Sequence, residues 1–362
     1  MEQVDPYIYN KELNDAEIEA KKIILTSKPR MLMAVLTTRC NLSCIMCSRR
    51  LANTDATLPS GKIRELTRMF PYLTTVDWQG GEVFLIDYFK DLFLEAKNHP
   101  NLEQSIITNG LLINGEWLKL LAGSKVNITF SIDAVTEDTY EHIRRGAKFK
   151  QLLGNLQAIK QMNASNNDSV QLHINTVVMR SNYRQLHLFP DFCQRYGVKH
   201  LRFDFLRPEV APEEDILTKP DIDTVNYLRI QLGDIEKHCR DLNIWFEYTF
   251  RPFLSTAEDT KAKEEGCLGE TIEDTPAQRK LNCKLPWKKL CIDAAGNCSV
   301  RPDCLCERPV GNLMEQTIEE IWNSQIMQAY RSNIINGLTE GWCSKTCNDN
   351  AVDTHHLEGT KN

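Results

Sequence analysis

Three cysteines lie close together near the start of the chain with the spacing C-x3-C-x2-C: Cys40, Cys44 and Cys47. Structural zinc takes four ligands, usually from C-x2-C pairs. Three thiolates on one short loop instead suit a 4Fe–4S cluster, because they hold three irons and leave the fourth open to an exchangeable ligand. The spacing therefore predicts a 4Fe–4S cluster that does chemistry. A zinc site completed by a distant histidine or cysteine is the alternative.

A second group of eight cysteines lies between Cys267 and Cys347. Packing explains one or two of them as small buried hydrophobic residues, such as Cys291 in the apolar run LCID. Packing does not explain all eight. The region therefore predicts a second metal site, of iron and sulfur or of zinc.

The composition excludes several classes of protein. The chain has 362 residues, 43 of them basic and 49 acidic, and its net charge of −6 gives no electrostatic basis for nucleic-acid binding. Its polar start lacks a signal-peptide core, and no run of about 18 apolar residues would cross a membrane. We therefore expect a cytoplasmic protein without a membrane or nucleic-acid partner. In that compartment cysteine clusters indicate metal chemistry.

Short apolar runs alternate with helical patterns over the first part of the chain. The alternation indicates right-handed βαβ units around a parallel sheet. Six units are too few for a closed eight-stranded barrel, so the predicted fold is α/β, a partial (βα)6 TIM-like barrel. The predicted strands are 31–36, 73–78, 104–108, 126–132, 169–179 and 198–206, with a further candidate at 243–248. The predicted helices are 14–26, 59–70, 84–97, 116–122, 136–144, 150–162, 183–196 and 221–241.

Polar or glycine residues stand at the carboxyl ends of four predicted strands, where parallel α/β folds place their sites. Glycines let a ligand approach the backbone closely, and a carboxylate beside them could hold an ammonium group. Asn109, Ser131 and Asp133 offer donors and acceptors for a ribose. Four such ends in register predict one shared site. The four ends are the cysteine loop, Gly80-Gly81-Glu82, Thr108-Asn109-Gly110 and Ser131-Ile132-Asp133.

The run TTRCNLSCIMCSR, followed by WQGGEVF, ITNG and SIDAVTEDTYEHIRRGAKF, closely resembles the radical S-adenosylmethionine (SAM) superfamily over about residues 31–206. In that family the three cysteines hold a 4Fe–4S cluster whose open iron chelates the amino and carboxylate groups of SAM. One electron from the reduced cluster cleaves the sulfonium, and the resulting 5′-deoxyadenosyl radical abstracts a hydrogen atom from the substrate. The resemblance implies the same cofactors and reaction here.

The resemblance also implies a role for individual residues. Two positions depart from the family pattern: Met46 stands where an aromatic residue usually meets the adenine, and Val83 replaces the proline that usually follows GGE. A polarizable methionine can still pack on a purine. The resemblance implies cluster ligation by Cys40, Cys44 and Cys47, and contact with the methionine amino group of SAM by Gly80, Gly81 and Glu82. It implies contact along the ribose by Asn109, Ser131 and Asp133. It also implies contact with the SAM carboxylate by Arg144 and packing on the adenine by Met46.

The C-terminal cysteine region resembles the SPASM domain, or its shorter twitch form, which holds auxiliary 4Fe–4S clusters. The resemblance rests on C-x-x-PW, a glycine hairpin, PVGNL, EEIWNS and a final cysteine pair. Only two cysteines follow the GN motif, so one auxiliary cluster is expected, and a second is the alternative. The implied ligands are Cys283, Cys343, Cys347 and one of Cys298, Cys304 and Cys306, with Cys304 favoured because it lies just before PVGNL.

These motifs divide the chain into five segments. They are an N-terminal helical extension (1–30), the radical SAM core (31–208), a helical and loop connector (209–282), the cysteine-rich auxiliary domain (283–348) and a tail (349–362).

The expected activity is that of a radical SAM oxidoreductase or epimerase with a carbohydrate-like or other small-molecule substrate. Only 39 residues precede Cys40, too few for the leader-binding domain of many peptide-modifying relatives. A maturase that epimerises or cross-links a ribosomal peptide is the close alternative. A non-catalytic iron–sulfur electron carrier is the alternative of a different class. The family also implies a reducing partner such as flavodoxin or ferredoxin.

A few further residues could take part in catalysis. Cys193 or Cys239 could return a hydrogen atom in an epimerase, although a packed helix position is the simpler expectation. Asp204 and Arg207 are expected at the barrel mouth as substrate contacts, or else in a salt bridge or as a loop anchor. His142, His173, His187 and His200 lack metal-ligand spacing and are expected at surface or satisfied core positions.

Overall fold

The computed structural model describes residues 5–50, 55–166, 169–218, 221–250, 283–301 and 309–338. Among them, ten strands form one sheet in the order β10-β9-β8-β1-β2-β3-β4-β5-β6-β7. The strands are β1 (Met31–Thr37), β2 (Thr75–Gly80), β3 (Glu103–Thr108), β4 (Val126–Ser131), β5 (Val170–Val178), β6 (His200–Phe205), β7 (Trp245–Tyr248), β8 (Lys289–Ile292), β9 (Asn297–Ser299) and β10 (Gly311–Asn312).

The strands β1 to β7 are parallel neighbours in sequence order. Each successive pair is joined through a helix, and such crossovers are right-handed, so the helices lie on one face of the sheet. The helices are α1 (Pro6–Glu19), α2 (Ile63–Thr67), α3 (Phe89–Lys97), α4 (Gly115–Leu121), α5 (Glu137–Ile143), α6 (Phe149–Ala164), α7 (Phe189–Tyr196), α8 (Ile222–Asp241), α9 (Leu285–Lys288), α10 (Ile318–Trp322) and α11 (Gln325–Ile335).

The partial TIM-like barrel is confirmed, and it is larger than six units. The strand predicted at 243–248 is β7, which pairs in parallel with β6. At the other edge β8 pairs in parallel with β1, and β9 and β10 continue antiparallel beyond it. The cysteine-rich C-terminal region therefore adds its hairpin directly to the strand that leads into the cysteine loop.

The two faces of the sheet differ in character because successive side chains of a strand alternate between them. On β5, Leu172 and Ile174 belong to the buried core under the helices, whereas His173 and Asn175 between them are half-buried. The same alternation holds on β4 and β6. We call the face away from the helices the inner face of the barrel. It is lined by polar side chains on these strands.

The N-terminal helix begins eight residues before its predicted first residue, residue 14. It begins at Pro6, with Asp5 as N-cap accepting a hydrogen bond from the Tyr7 amide (2.9 Å), and ends at Glu19 instead of 26. The cause of the error is that the helix buries polar residues, Asn14 and Glu17 among them. Because the inward face of the helix is polar, the sequence shows no apolar helical periodicity over these residues.

Three other predicted helices differ from the helices of the structure mainly in their first turn. The helix expected at 59–70 is a 3-10 turn followed by α2, and that expected at 84–97 begins as α3 at Phe89 after a separate 3-10 turn. The helix expected at 183–196 likewise opens as a 3-10 segment before α7. No helix in the described part of the chain is both long and apolar enough to cross a membrane.

Candidate functional site

The three cysteines of the first group lie on the loop that leaves β1 at the carboxyl edge of the sheet. This loop is held by the end of α5: the Ser43 amide donates to the Arg145 carbonyl and the Ile45 amide to the Ile143 carbonyl, both at 3.0 Å. All three cysteines are free thiols. Cys44 is buried, while Cys40 and Cys47 are half-buried. The loop therefore presents three thiols together at the strand ends.

The surroundings of these thiols suit an anionic metal–thiolate cluster. Burial raises the pKa of Cys44 to about 11, although the nearby Arg144 charge opposes the rise. Burial also raises the pKa of Cys40. Thiols in such positions become thiolates when a metal binds them. Nη1 of Arg144 lies 3.8 Å from Sγ of Cys44, so a cationic donor already faces the sulfur. The donor set fits the 4Fe–4S cluster that the spacing predicts.

Gly80 and Gly81 pack against the start of the cysteine loop. A Cβ on Gly81 would lie 2.0 Å from the Arg39 carbonyl oxygen, and one on Gly80 would lie 2.6 Å from that of Thr37. The Gly81 amide donates to the Thr37 carbonyl (2.6 Å) and the Glu82 amide to the Arg39 carbonyl (2.9 Å). The missing Cβ atoms thus admit the backbone of the cysteine loop. Contact of this segment with a ligand stays a prediction.

Glu82 is fully buried and joins the ends of β2 and β3. Its carboxylate accepts hydrogen bonds from Thr108 Oγ1 (2.8 and 3.0 Å) and from the Asn109 amide (2.9 Å). Burial raises the pKa of Glu82, and these hydrogen bonds oppose the rise. Asn109 Nδ2 in turn donates to Asn41 Oδ1 (2.8 Å) and lies 3.8 Å from Cys40 Sγ. The network ties the ends of β2 and β3 to the cysteine loop.

Asp133 and Arg144 form a buried ion pair beside Cys44. Nη2 of Arg144 lies 2.7 Å from Oδ2 of Asp133, and the two side chains are 7% and 0% exposed. Oδ1 of Asp133 accepts from the Val177 amide (2.8 Å). Burial raises the pKa of Asp133 despite the guanidinium, and the Asp133 charge raises that of Arg144. Nε of Arg144 is buried with no hydrogen-bond partner among the described residues, so it can serve one further acceptor, such as a carboxylate.

Ser131 and Met46 complete the predicted set. Ser131 ends β4 on the inner face, next to Asn175 of β5 in the register. Met46 is half-buried and packs against both the main core and a small apolar cluster beside the cysteine loop. That cluster consists of Ile45, Ile143, Met179, Leu206 and Ala211. Ser131 thus stands at the same carboxyl edge of the sheet as the other predicted residues, and Met46 lies on the cysteine loop itself.

The predicted auxiliary ligands fall mostly outside the described residues. Cys304, Cys343 and Cys347 lie there, as do Cys267 and Cys306. Cys283 is half-buried just before α9 and packs against the core. Cys298, one of the alternatives to Cys304, is fully buried on β9, and burial raises its pKa to about 12. Cys291 on β8 is buried and donates to the Val300 carbonyl (3.2 Å), in keeping with the packing role expected for it.

Cys193 and Cys239 do not face the site. Both are fully buried in the core under the helices α7 and α8, on the opposite side of the sheet from the inner face. Burial raises the pKa of Cys239 to about 12. Neither thiol is placed to deliver a hydrogen atom to a substrate in the barrel. They are the packed helix residues of the simpler expectation.

Several inner-face residues of β5, β6 and β7 were not anticipated as a group. Asp204 accepts from Arg202 Nε (3.0 Å), which matches the salt bridge considered for it, and Arg207 follows the end of β6. Nε2 of His200 lies 3.2 Å from Glu247 Oε1, so this half-buried histidine lies beside a carboxylate on the inner face. The signal in the sequence was the polar residue at every second position of each strand.

Comparison with known proteins identifies two domains in this arrangement. The radical SAM superfamily model matches residues 34–188, and the SPASM iron–sulfur cluster-binding domain model matches residues 283–348. The first match contains the cysteine loop and the polar strand ends, and the second contains the C-terminal cysteine region. These two domains imply 4Fe–4S clusters and SAM as cofactors.

Individual relatives agree with this assignment. The AdoMet-dependent heme synthase of Methanosarcina barkeri (strain Fusaro) is 24% identical over 85% of this chain and 86% of its own. The cysteine-type anaerobic sulfatase-maturating enzyme of Clostridium novyi (strain NT) is 25% identical over 72% of this chain and 68% of its own. Streptococcus suis SuiB bound to the precursor peptide SuiA has a similar fold, with a TM-score of 0.62 and 18% identity over 89% of this chain and 70% of SuiB.

Proposed function

The chain belongs to the radical SAM superfamily, and we propose that it cleaves SAM reductively and abstracts a hydrogen atom from a polar substrate on the inner face of the barrel. The observation that carries the proposal is the group of three free thiols on the β1 loop, joined by hydrogen bonds and an ion pair to the ends of β2, β3 and β4. A structural metal site would not need these strand-end networks.

With a reduced 4Fe–4S cluster and SAM bound, the chemistry that these cofactors would supply is reductive cleavage of SAM to methionine and a 5′-deoxyadenosyl radical. Cys40, Cys44 and Cys47 would hold that cluster. Arg144, fixed by Asp133, would offer its remaining donor to the carboxylate of SAM. Backbone carbonyls of the Gly80-Gly81-Glu82 segment would accept from the amino group, because the buried Glu82 side chain holds that segment against β3.

The ribose and adenine of SAM would lie along the neighbouring strand ends. Asn109 and Ser131 would contact the ribose, and Asp133 would position Arg144 beside it. Met46 would pack on the adenine, since it lies at the border of the apolar cluster next to the cysteine loop. Together these residues would orient the radical carbon toward the inner face and exclude water from it.

For the substrate we favour a carbohydrate-like or other small polar molecule that is oxidised or epimerised. Support comes from the inner face of β4 to β6, where hydroxyl, amide and charged side chains alternate with the core residues. Cys283, Cys304, Cys343 and Cys347 would hold an auxiliary cluster, which would supply an acceptor for the electron that a substrate loses when it is oxidised. A flavodoxin or ferredoxin would reduce the SAM-binding cluster.

A peptide substrate is the second candidate. Its support is the similarity to the sulfatase-maturating enzyme and to SuiB, which was solved with a precursor peptide. A maturase would use the same radical on a peptide side chain or Cα. The two candidates differ in the substrate and not in the first step.

Anaerobic reconstitution tests the proposal. With dithionite, the holoenzyme should convert SAM into 5′-deoxyadenosine and methionine, and its iron content should approach about eight atoms per chain for two 4Fe–4S clusters. About twelve would contradict the single auxiliary cluster. Zinc without sulfide, or clusters without SAM cleavage, would overturn the enzymatic function and favour a scaffold or an electron carrier.

A further inference from the structure

Two inner-face side chains of β5, Asn175 and His173, lie beside the candidate SAM site. In the strand register Asn175 is the neighbour of Ser131 on β4, and His173 is the neighbour of Thr129 one pleat below. The Ile132 amide donates to the Asn175 carbonyl at 3.1 Å. The upper part of β5 is therefore fixed against the end of β4 that borders the SAM site.

Asn175 has a polar atom without a partner. Its Oδ1 atom is buried and accepts no hydrogen bond from any of the described residues. Its other neighbour in the register, Arg202 of β6, directs its guanidinium elsewhere, to Asp204 (3.0 Å) and Glu247 (3.5 Å). Leaving a buried acceptor unpaired is costly. This atom on the inner face therefore indicates a hydrogen-bond donor that a bound molecule supplies.

His173 is half-buried on the same face and also has open hydrogen-bonding capacity. Its ring meets that of His200 edge to face, with centroids 5.1 Å apart, and in the described part of the chain neither of its ring nitrogens is hydrogen-bonded. Burial and the neighbouring His200 lower its pKa to about 4, so the imidazole is neutral near pH 7 and one nitrogen can accept a proton. The two β5 side chains lie about 7 Å apart along the strand.

Inner-face side chains farther from the SAM site are paired with one another. Below the two β5 residues, Asn127 of β4 donates to Glu103 of β3. Beside them, His200 Nε2 lies 3.2 Å from Glu247 Oε1. Within the residues that the structure describes, open polar capacity on this face is therefore concentrated on β5 and the adjoining end of β4.

We propose that Asn175 and His173 bind two neighbouring hydroxyl groups of a carbohydrate-like substrate. Asn175 accepts a hydrogen bond from one hydroxyl, and His173 takes the proton of the other when the carbon that bears it is oxidised to a ketone. The inference rests on the proposed function, because it places these hydroxyls beside the carbon that the radical attacks. It also selects oxidation over epimerisation.

The atoms and electrons of this oxidation balance on the groups named. The 5′-deoxyadenosyl radical takes a hydrogen atom from the substrate carbon and becomes 5′-deoxyadenosine. The O–H bond on the same carbon then breaks, its proton goes to a ring nitrogen of His173, and a C=O bond forms. The one remaining electron leaves the substrate for an acceptor of the iron–sulfur class, which the proposed function assigns to the auxiliary cluster. The product is a ketone.

The experiment uses the reconstituted holoenzyme with SAM and measures the binding of myo-inositol by anaerobic calorimetry. This cyclitol carries both cis and trans pairs of neighbouring hydroxyls. It is compared with its hexa-O-methyl ether, which keeps the ring and its oxygens but has no O–H to donate. A Gly-Ser-Gly tripeptide with blocked termini represents a peptide substrate, with one hydroxyl and no neighbouring one. We expect the cyclitol to bind at least about tenfold more tightly than either.

Variants separate the two residues. Asn175→Leu removes the amide and should weaken cyclitol binding about tenfold, with binding of the ether unchanged. His173→Gln keeps a hydrogen-bonding side chain without a basic nitrogen. With dithionite and carbon-deuterated cyclitol, it should still pass deuterium to 5′-deoxyadenosine but form about tenfold less ketone. His187→Gln is the matched control, because His187 is exposed in the 3-10 segment before α7, and it should behave like the native chain.

Equal binding of the cyclitol and its ether would overturn the inference, as would tighter binding of the tripeptide or no binding of the cyclitol at millimolar concentration. Unchanged binding in Asn175→Leu, or a native yield of ketone in His173→Gln, would remove the residue concerned from the site. SAM cleavage is measured separately in the absence of a probe. Loss of that reaction with retained selectivity for the cyclitol would refute the proposed function and not the hydroxyl site.

Discussion

At the scale of single residues, Gly81 is the point of closest approach between the GGE segment and the cysteine loop. Gly81→Ala would place a Cβ 2.0 Å from the Arg39 carbonyl oxygen, a contact that only backbone movement can relieve. We expect a loss of stability of about 1–3 kcal/mol and a lower iron content after reconstitution, because Cys40 follows Arg39 directly. Iron analysis and denaturant unfolding measure both.

Gly154→Ala provides the control for that substitution. Gly154 lies inside α6, and nothing lies within 4 Å of the Cβ position. Alanine there should raise stability by about 0.5–1 kcal/mol with unchanged iron content. If both variants keep full iron content, the cysteine loop does not depend on Gly81.

The Asp133–Arg144 pair supports a second residue-scale prediction. Arg144→Met leaves the fully buried Asp133 without its counter-ion and should cost about 3–5 kcal/mol. The double variant Asp133→Asn with Arg144→Met removes both charges and should recover most of that stability. SAM affinity, measured by equilibrium dialysis, should remain low in both. Restored SAM binding in the double variant would show that the guanidinium has only a structural role.

At the scale of secondary-structure elements, polar side chains join β2, β3, β4 and β8: Asp77, Glu103, Asn127 and Lys289. Burial raises the pKa of Glu103, the Asp77 charge raises it further, and the hydrogen bond from Asn127 opposes the rise. A carboxyl group whose pKa rises on folding holds its proton more tightly in the folded chain. Its contribution to stability is therefore lost as the pH rises through the folded-state pKa.

Glu103→Gln should consequently stabilise the protein at neutral and higher pH. The glutamine keeps an oxygen to accept from Asn127 Nδ2 and carries no charge to bury. Its advantage should shrink as the pH falls toward the unfolded-state pKa of about 4.3. Thermal unfolding of the two proteins across this pH range measures the difference. A gain that does not change with pH would contradict the titration of Glu103.

The elements show what the sequence can and cannot predict. The strands of the barrel were predictable because their core-facing positions are apolar, as in Leu172 and Ile174 of β5. Helix α1 was misplaced because its inward residues are polar: Asn14 Nδ2 donates to the Trp287 carbonyl (2.8 Å), and Glu17 accepts from the amides of Thr26 and Ser27. Burial of these polar side chains depends on hydrogen-bond partners elsewhere in the chain, which the local sequence pattern does not reveal.

The residues of the candidate site were only partly predictable from the sequence. The cysteine loop and the polar strand ends can be recognised from residue type and spacing, and the structure places them at one edge of the sheet. The inner-face group of Arg202 and Glu247 was not found, because a half-buried polar residue in a strand has the same pattern as a solvent-facing one. Only the assembly of the strands into the sheet shows that this face points into the partial barrel, and the strand register fixes which residues meet.

At the scale of the whole molecule, one arginine joins the two ends of the described chain. Arg331 on α11 is fully buried and donates to the carbonyls of Ile23, Trp322 and Pro286 at 2.8–2.9 Å. Its guanidinium also stacks on the Trp322 ring at 4.7 Å. The N-terminal segment, the PW turn and the C-terminal helices therefore share one donor.

Arg331→Met should be strongly destabilising. It leaves three backbone carbonyls without their donor, at about 1 kcal/mol or more for each, so we expect a loss of about 3 kcal/mol or more. Arg240→Met is the control: Arg240 is 75% exposed on α8, and its loss should change stability by less than about 0.5 kcal/mol. Denaturant unfolding of the three proteins compares them. Equal stability of the two variants would refute the joining role of Arg331.

The pairing of β8 with β1 also sets an order of events during biosynthesis. The ribosome completes β1 at Thr37 but reaches its neighbour β8 only at Lys289, about 250 residues and roughly 10 to 50 s later. Until then one side of β1 has no strand beside it, although the cysteine loop that follows it has already been made. An unpaired edge of this kind is a template for pairing with another chain. Any chain that stops before residue 289 keeps that edge exposed permanently.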